Sequence, residues 1–173
     1  MSFDWRTHLD IAALLTDDPR EEAKRAPISR AYYAAFGHAK LHLVTIGATR
    51  SPESGHDEVW NTFKTATGNR DCQRVHTTGF NLKDLRDRAD YDATLPPQRS
   101  VDSMTRAALR WAREITGAVD RIAQSPWPGV IPPPETDAEQ LRRLLRKLSP
   151  DHIKPLLAHA LRLQRRSERR TVT

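Results

Sequence analysis

The segment 82–92, which reads LKDLRDRADYD, concentrates charged side chains that could do chemistry. Arg86 and Arg88 offer planar guanidinium forks, whose donors match the oxygens of a phosphate group. Asp90 and Tyr91 are neighbouring polar groups, but neither exchanges a proton near pH 7 unless its pKa is strongly shifted. The segment therefore favours either a phosphate-binding surface or a structural ion-pair network.

Metal chemistry has little support in the sequence. His38 and His42 are spaced i, i+4 and could hold a metal from one helix face, but no third ligand is evident. Cys72 is the single cysteine, which excludes an intramolecular disulfide and a cysteine-based zinc site. Packing or surface positions explain the histidines better, so we predict no metal and no other cofactor.

A helix that positions these groups is predicted around ISRAYYAAFGHAK, residues 28–40. At helical spacing one face collects Ile28, Tyr32, Ala35, Ala39 and Leu43, and Tyr33, Phe36 and Leu41 widen the apolar surface. A helix that is apolar around much of its circumference is a central one. Arg30 must then reach solvent or be held by a carboxylate, and we expect an ion pair with Asp87 or Asp90.

The other elements are also predicted to be helical. We expect helices over residues 3–15, 56–65 and 82–91. Another helix should start with Asp18 as its cap and Pro19 at its first position, with a kink or break at Pro27. Residues 67–79 are ambiguous and are predicted as a loop or frayed turn. The clearest pattern is an apolar stripe at spacings of three and four, which predicts a long core helix: Val101, Met104, Ala108, Trp111, Ile115, Ala118 (or Val119) and Ile122.

The fold class predicted is all-α, an up-and-down bundle of four to five helices over residues 1–124 with a C-terminal two-helix appendage. Residues 125–134 contain five prolines and predict a semi-rigid linker. Residues 135–173 form the appendage, with ten Lys/Arg against five Asp/Glu. This basic excess indicates nucleic acid or an acidic partner, or simply a solvated helix face. The chain carries a net charge of +6, with 22 arginines among 28 basic residues.

Two segments together resemble the signature motifs of HEPN domains. ISRAYYAAFGHAK is similar to the R-x-Y-Y-A-x-F core of that family, and RDRADYD at Arg86 is similar to the arginine followed by Ala-Asp-Tyr of one prokaryotic branch. His56 begins HDEVWNTF, where that branch often has a histidine before an apolar helix. The resemblance covers residues 5–124 and leaves residues 135–173 without a counterpart.

The resemblance implies a helical bundle that forms a homodimer. Many HEPN proteins are metal-independent ribonucleases that act as toxins or phage-defence effectors, and others bind RNA or nucleotides without cleavage. Small members are often encoded with a nucleotidyltransferase that neutralises them. The charged start of the chain and the absence of a long apolar run predict a cytoplasmic protein without a membrane segment.

The family's nuclease site is an arginine followed, after four to six residues, by a histidine that exchanges protons while the arginine steadies the phosphorane. Arg86 is present in this chain, but Asp90 or Tyr91 occupies the histidine's region. Three other arginine–histidine pairs have the spacing, about as many as chance supplies: Arg50–His56, Arg70–His76 and Arg146–His152. The candidate catalytic residues are therefore Arg86, His56 and Asp90.

Three functions follow as hypotheses. The first is binding of RNA or a nucleotide by a HEPN-like protein with a degenerate nuclease motif, in a toxin–antitoxin or phage-defence setting. The candidate binding residues are Arg30, Arg86, Arg88, Tyr91, Arg165 and Arg166. The second is a metal-independent endoribonuclease that uses Arg86 with a non-standard acid or base. The third is a non-enzymatic interaction module that docks through its linker and basic helices.

Overall fold

Five helices make up the part of the chain that the computed structural model describes, which is residues 3–16, 18, 20–49, 55–94 and 100–133 with single positions 136, 139, 141, 142, 146, 154 and 155. No strand occurs within these residues. The helices are α1 (Thr7–Leu14), α2 (Glu21–Thr45), α3 (His56–Lys64), α4 (Arg70–Tyr91) and α5 (Val101–Ile122). The predicted all-α class is confirmed.

Helix α2 is the centre of the bundle, because it contacts each of the other four helices. Its fully buried side chains cover more than one face, as the sequence predicted: Ile28, Ala31, Tyr32, Ala34, Ala35, Ala39 and Leu43. The alanines allow close approach of neighbouring helices, and Tyr32 supplies the bulk between them. Burial of this surface is the main favourable term in the fold.

The start of α2 differs from the prediction. Asp18 does not cap the first turn, since the helix begins after Arg20, whose backbone N–H donates to Asp18 Oδ1 at 2.9 Å. The helix also continues through Pro27, so of the predicted kink or break the break is wrong. Pro27 is fully buried, so its packing in the core offsets the missing backbone donor.

Two tryptophans lie against glycines, and these contacts set the spacing of neighbouring helices. Trp5, just before α1, lies so close to Gly37 of α2 that a Cβ there would come within 2.0 Å of the indole. Trp60 of α3 lies against Gly79 of α4 in the same way, with 2.5 Å to an added Cβ. Each glycine therefore makes room for an indole that a larger residue would displace.

Helix α4 is longer than predicted. It begins at Arg70, where the side chain of Asn69 accepts from Cys72 N at 2.9 Å. The predicted loop or frayed turn is therefore correct for residues 67–69 and wrong for residues 70–79. Its buried positions at spacings of three and four are small or polar in the first half: Cys72, Val75, Thr78 and Gly79. The predicted end at Tyr91 is confirmed.

Helix α5 follows the predicted pattern. The Ser100 side chain accepts from Ser103 N at 3.2 Å and caps the first turn. Most of the predicted stripe is buried against α2 and α4, while Val101 and Trp111 are half-buried at its edges. Apolar periodicity therefore predicts both the extent of this helix and the face that it buries.

The chain divides into two compact units, Met1–Pro132 and Pro133–Thr173. Most of the segment predicted as a linker belongs to the first unit, because Trp127 packs against the core and Val130 N donates to Thr65 Oγ1 at 3.2 Å. In the second unit Thr136 and Glu139 form a reciprocal capping box. The two predicted appendage helices otherwise lie outside the described residues. No helix in the described ranges has the length and apolar character for crossing a membrane.

Candidate functional site

The two motifs that carry the family resemblance meet between α2 and α4. Ser29 Oγ donates to Asp90 Oδ1, and Arg86 Nη2 donates to Tyr33 Oη at 2.9 Å. One turn before Ser29, Arg25 Nη1 donates to the backbone oxygen of Asp92 at 2.7 Å. Positions 25, 29 and 33 are spaced i, i+4, i+8, so one line along α2 faces the end of α4.

Arg86 is the best-enclosed charge of this contact, with 16% of its side chain exposed. Its Nη1 donates to Asp87 Oδ1 at 2.9 Å. Its Nε lies 2.7 Å from Asp90 Oδ2 and forms an ion pair with it, but the Nε–H does not point at the carboxylate, so this contact is not a hydrogen bond. The guanidinium lies 5.5 Å from the Tyr33 ring centre and 5.2 Å from that of Tyr91. Two carboxylates and two aromatic faces therefore hold Arg86 in place.

Burial alone would lower the pKa of Arg86, but the hydrogen bond to Asp87 and the neighbouring charges raise it above its ordinary value. The guanidinium is thus permanently charged, and it acts as a fixed cation rather than a proton carrier.

The predicted ion pair of Arg30 is wrong. Asp87 and Asp90 both pair with Arg86, whereas Arg30 is exposed and has no ion pair or hydrogen bond with any described residue. Its charge instead contributes to lowering the pKa of His8 in α1, an effect that comes mainly from burial. The physical reason is angular, since Arg30 is about 100° around the helix from Ser29 and so points away from α4.

His56, the first residue of α3, lies next to this network. Its Nδ1 is 2.6 Å from the hydroxyl of Tyr32, and its ring stacks on Phe36 with centroids 4.3 Å apart. Its ring is also 6.3 Å from that of Tyr33, the acceptor of the Arg86 hydrogen bond. The structure therefore brings the three predicted catalytic residues, Arg86, His56 and Asp90, into one cluster formed by α2, α3 and α4, which we name the His56–Arg86 cluster.

The pKa of His56 is lowered, first by burial and then by the positive charges of Arg86 and Lys83. The imidazole is consequently neutral at pH 7. Burial likewise raises the pKa of Tyr32, so its hydroxyl keeps its proton. The Trp60 indole N–H, which can only donate, also acts on that hydroxyl, so we assign the Tyr32 O–H as the donor to Nδ1 and the imidazole proton to Nε2.

This tautomer decides the chemistry that His56 can do. A general base at Nε2 needs a free lone pair there, which is favoured by a group that accepts a hydrogen bond from Nδ1–H. Tyr32 does the reverse, and no carboxylate hydrogen-bonds His56 among the described residues. His56 is therefore suited to donate a hydrogen bond to an oxygen of a bound molecule rather than to remove a proton.

Lysines lie at the edge of the cluster. Lys83 Nζ pairs with Asp57 at 3.2 Å and with Asp87 at 3.6 Å, and Lys40 Nζ lies 5.5 Å from the centre of the Phe36 ring. Both lysines contribute to the lowered pKa of His56. Exposed ion pairs of this kind are weak, so Lys83 can exchange its carboxylates for a phosphate at small cost.

The remaining predicted binding residues have different surroundings. Arg88 pairs with Asp84 at 2.9 Å on the outer face of α4, away from Arg86. Tyr91 is 71% exposed and offers one open ring face to solvent. Arg165 and Arg166 lie outside the described residues, as does Arg50.

The histidine pair of α2 has structural roles. His38 Nε2 contacts Asp120 Oδ1 at 2.8 Å and joins α2 to α5, whereas the ring of His42 lies 6.1 Å from Trp127. Among the residues that the structure describes, no three histidine, cysteine or carboxylate side chains converge as metal ligands.

Sequence reasoning did not identify two members of the cluster, Arg25 and Lys83, or the Tyr32–His56 contact. The i, i+4, i+8 spacing of Arg25, Ser29 and Tyr33 was the available signal, since it puts three polar groups on one line of an otherwise apolar helix. The contact of Tyr32 with His56 joins segments 24 residues apart and had no local signal.

No family model, no curated protein and no solved structure matches this chain.

Proposed function

We propose that this chain is a HEPN-like protein that binds RNA or a nucleotide at the His56–Arg86 cluster and does not cleave it. The observation that carries the proposal is the contact of Arg86 with Tyr33 and of Asp90 with Ser29, because it joins the two motifs of the resemblance through their own polar residues. His56, the third element of the resemblance, adjoins the same contact.

The chemistry of the cluster suits a phosphorylated ligand with an aromatic base. His56 presents an Nε2–H donor, Lys83 and Lys40 supply positive charge, and the exposed ring of Tyr91 offers a face for base stacking. Arg86 has a different role in this proposal. Its donors are engaged by Tyr33 and the aspartates, so it fixes the shape and field of the cluster.

Binding can be measured by fluorescence anisotropy with a labelled 20-nucleotide single-stranded RNA of mixed sequence. We expect Lys83→Ala and His56→Ala each to weaken binding by about three- to tenfold, as for loss of one charge-assisted contact. Lys64→Ala is the matched control, because Lys64 is an exposed lysine of α3 at the end far from His56.

Affinity should fall steeply with added salt, as it does for phosphate contacts. Equal affinities of the three variants, or binding that ignores salt, would contradict a phosphate site at this cluster.

The second candidate is a metal-independent endoribonuclease, favoured by the proximity of Arg86, His56 and Asp90. It predicts that purified protein degrades RNA in EDTA and that Arg86→Ala and His56→Gln each abolish cleavage. The Tyr32 hydrogen bond argues against it, because it leaves no lone pair on Nε2. Cleavage that is lost in His56→Gln, with the fold intact by circular dichroism, would replace the binding proposal with this one.

The biological setting is a further prediction from the resemblance. It includes a cytoplasmic homodimer in a toxin–antitoxin or phage-defence system, with a nucleotidyltransferase or another defence protein as partner. The third hypothesis, an interaction module, is separable by deleting residues 135–173 and measuring complex formation in pull-down. A partner retained by residues 1–134 would exclude the C-terminal segment as the docking element.

A further inference from the structure

The outer face of α5 carries a line of arginines. Arg106, Arg110 and Arg113 are all exposed, and none has an ion pair or hydrogen bond through its side chain within the described part of the chain. Their spacing of four and three residues places them along one side of the helix, about 6 Å and about 4.5 Å apart along the axis. We name these three residues the α5 arginine stripe.

The acidic residues of α5 do not neutralise this stripe, because each pairs with a cation of another helix or of the N-terminal segment. Asp102 pairs with Lys24 at 3.0 Å, and Glu114 pairs with Arg74 at 3.2 Å. Asp120 contacts His38 at 2.8 Å and Arg6 at 3.7 Å. The stripe thus keeps its three positive charges on one helix face.

This arrangement disfavours the helix that carries it. Like charges at i, i+3 and i, i+4 destabilise a helix, and both pairs in the stripe, Arg106–Arg110 and Arg110–Arg113, are of this kind. A glutamate at the middle position would turn both into attractive pairs. Asp102 and Glu114 are four residues from Arg106 and Arg110, but their carboxylates pair with Lys24 and Arg74. Like charges left without an ion pair in the described residues are typical of a binding surface.

We infer that the α5 arginine stripe binds the phosphodiester backbone of a nucleic acid, as a second contact surface beyond the His56–Arg86 cluster. A nucleic-acid strand presents one charge about every 3.4 Å of helix axis, so a line of guanidinium groups about 10.5 Å long spans three to four phosphates. Guanidinium forks bind phosphate oxygens bidentately and read no sequence. The stripe therefore contributes affinity without base specificity.

Charge disfavours a symmetric contact of this face with a second copy of the chain, because it would place two arginine stripes against each other. An acidic polypeptide has the right sign but a lower charge density, since an extended strand of about 3.3 Å per residue turns alternate side chains to opposite faces. The nucleic-acid backbone matches the sign and presents at least one phosphate for each arginine along the line. Because α5 contributes no residue to the cluster described above, the two surfaces can be tested separately.

The test compares two double variants that remove the same charge. Arg110→Gln/Arg113→Gln alters the stripe, and Lys64→Gln/Arg70→Gln removes two exposed cations at the far ends of α3 and α4. The probes are a labelled 20-nucleotide single-stranded RNA and its 20-base-pair duplex. We expect the stripe variant to bind both probes about tenfold more weakly, with a salt slope smaller by about 1.4 for the single strand. The control variant should stay within about twofold of the unchanged protein.

Three outcomes would overturn this inference. The first is an equal loss in both double variants, which would mean that only net charge matters. The second is competition by polyglutamate that equals competition by unlabelled RNA of the same total charge, which would make an acidic protein the occupant. The third is binding that depends on His56 and Lys83 but not on the stripe, which would leave the proposed function standing alone.

The reverse result, dependence on the stripe without dependence on His56 and Lys83, would support the stripe and refute the cluster as a binding site. An unchanged protein that binds neither probe at any salt concentration would refute both proposals. Circular dichroism of each variant establishes that the bundle is folded before its affinity is compared.

Discussion

The His56–Arg86 cluster and the α5 arginine stripe use the same side chain in opposite ways. Arg86 has 16% of its side chain exposed and contacts two carboxylates and two tyrosines. Arg110, at the centre of the stripe, is exposed and has arginines as its nearest neighbours in the line. The first guanidinium is part of the fold, and the second is available to a ligand.

This difference shows that an arginine's place in a motif does not tell whether it binds substrate. Removing a partly buried, paired charge leaves its partners without compensation, whereas removing an exposed one leaves nothing behind. Stability measurements therefore separate the two roles before any ligand is known. The following predictions use that separation, starting with the largest effect.

Glycine-to-alanine changes in the two regions should have opposite effects on the free energy of unfolding. Gly79→Ala brings a Cβ within 2.5 Å of the buried Trp60 indole, which packs against Tyr32 under the cluster, and should lower the free energy of unfolding by about 2–3 kcal/mol. Gly117→Ala, next along the line of the stripe, meets nothing closer than 3.6 Å. It should raise that free energy by about 0.5–1 kcal/mol through helix propensity.

Urea denaturation followed by circular dichroism measures both changes. Equal and stabilising effects of the two substitutions would show that Trp60 can shift freely, and that the contact of Trp60 with Tyr32 below the cluster is not tightly packed.

Arginine-to-methionine changes test whether the charge of each arginine contributes to the stability of the fold. Arg86→Met should lower the free energy of unfolding by about 2 kcal/mol, because Asp87 and Asp90 lose their shared cation while they are partly exposed to solvent. Arg110→Met keeps the aliphatic stem and removes a repulsive neighbour, so stability should stay within about 0.5 kcal/mol. A loss in Arg110→Met as large as that in Arg86→Met would contradict the distinction between a structural and a free guanidinium.

The sequence predicted the parts of the fold that apolar periodicity controls. The apolar residues from Met104 to Ile122 predicted α5 and the face that it buries, and the alanine-rich segment predicted α2 as the central helix. It failed where small or polar residues are buried, as in the first half of α4, where Cys72, Thr78 and Gly79 pack without an apolar signal. Burial of such residues depends on partners elsewhere in the chain, as Trp60 is for Gly79.

The sequence predicted which residues form the candidate site, but not which of them form ion pairs with each other. Arg86, His56 and Asp90 were named from the motifs, and they do come together. The arginine expected to hold the carboxylates was Arg30, whereas the structure uses Arg86 on the same helix as its partners. In an i, i+4 pair such as Arg86–Asp90, the carboxylate is neutralised by an arginine of its own helix. That carboxylate is then not available to an arginine of another helix, which is the pairing that the sequence suggested.

Tyr33→Phe isolates the single hydrogen bond across the α2–α4 contact. It removes the acceptor of Arg86 Nη2 but keeps the ring that faces the guanidinium, so the free energy of unfolding should fall by about 1 kcal/mol. Tyr91→Phe is the matched control, because Tyr91 also faces Arg86 by its ring and its hydroxyl makes no hydrogen bond to a described residue. Thermal unfolding compares the two, and similar melting temperatures would mean that the Tyr33 hydroxyl is exchanged for water without loss.

The pH dependence of stability gives the smallest effect and the finest test. Burial, then Arg86 and Lys83, hold the pKa of His56 below that of an unfolded histidine, so the unfolded chain takes up a proton first as pH falls. The contribution of His56 is therefore complete above about pH 6.5 and is lost as pH drops through the folded-state pKa, with a slope below about 1.4 kcal/mol per pH unit.

The pKa values of His8 and His42 are also lowered by burial, so they add to the same trend, and His56→Gln should reduce the slope between pH 7 and 5 without removing it. The Arg110→Gln/Arg113→Gln variant should keep the full slope, because arginine does not titrate in this range. In Arg86→Met the pKa of His56, measured by NMR titration, should rise, since a neighbouring positive charge is gone while Asp87 remains. An unchanged His56 pKa in that variant would place Arg86 outside the electrostatic reach of the imidazole and would separate the two halves of the cluster.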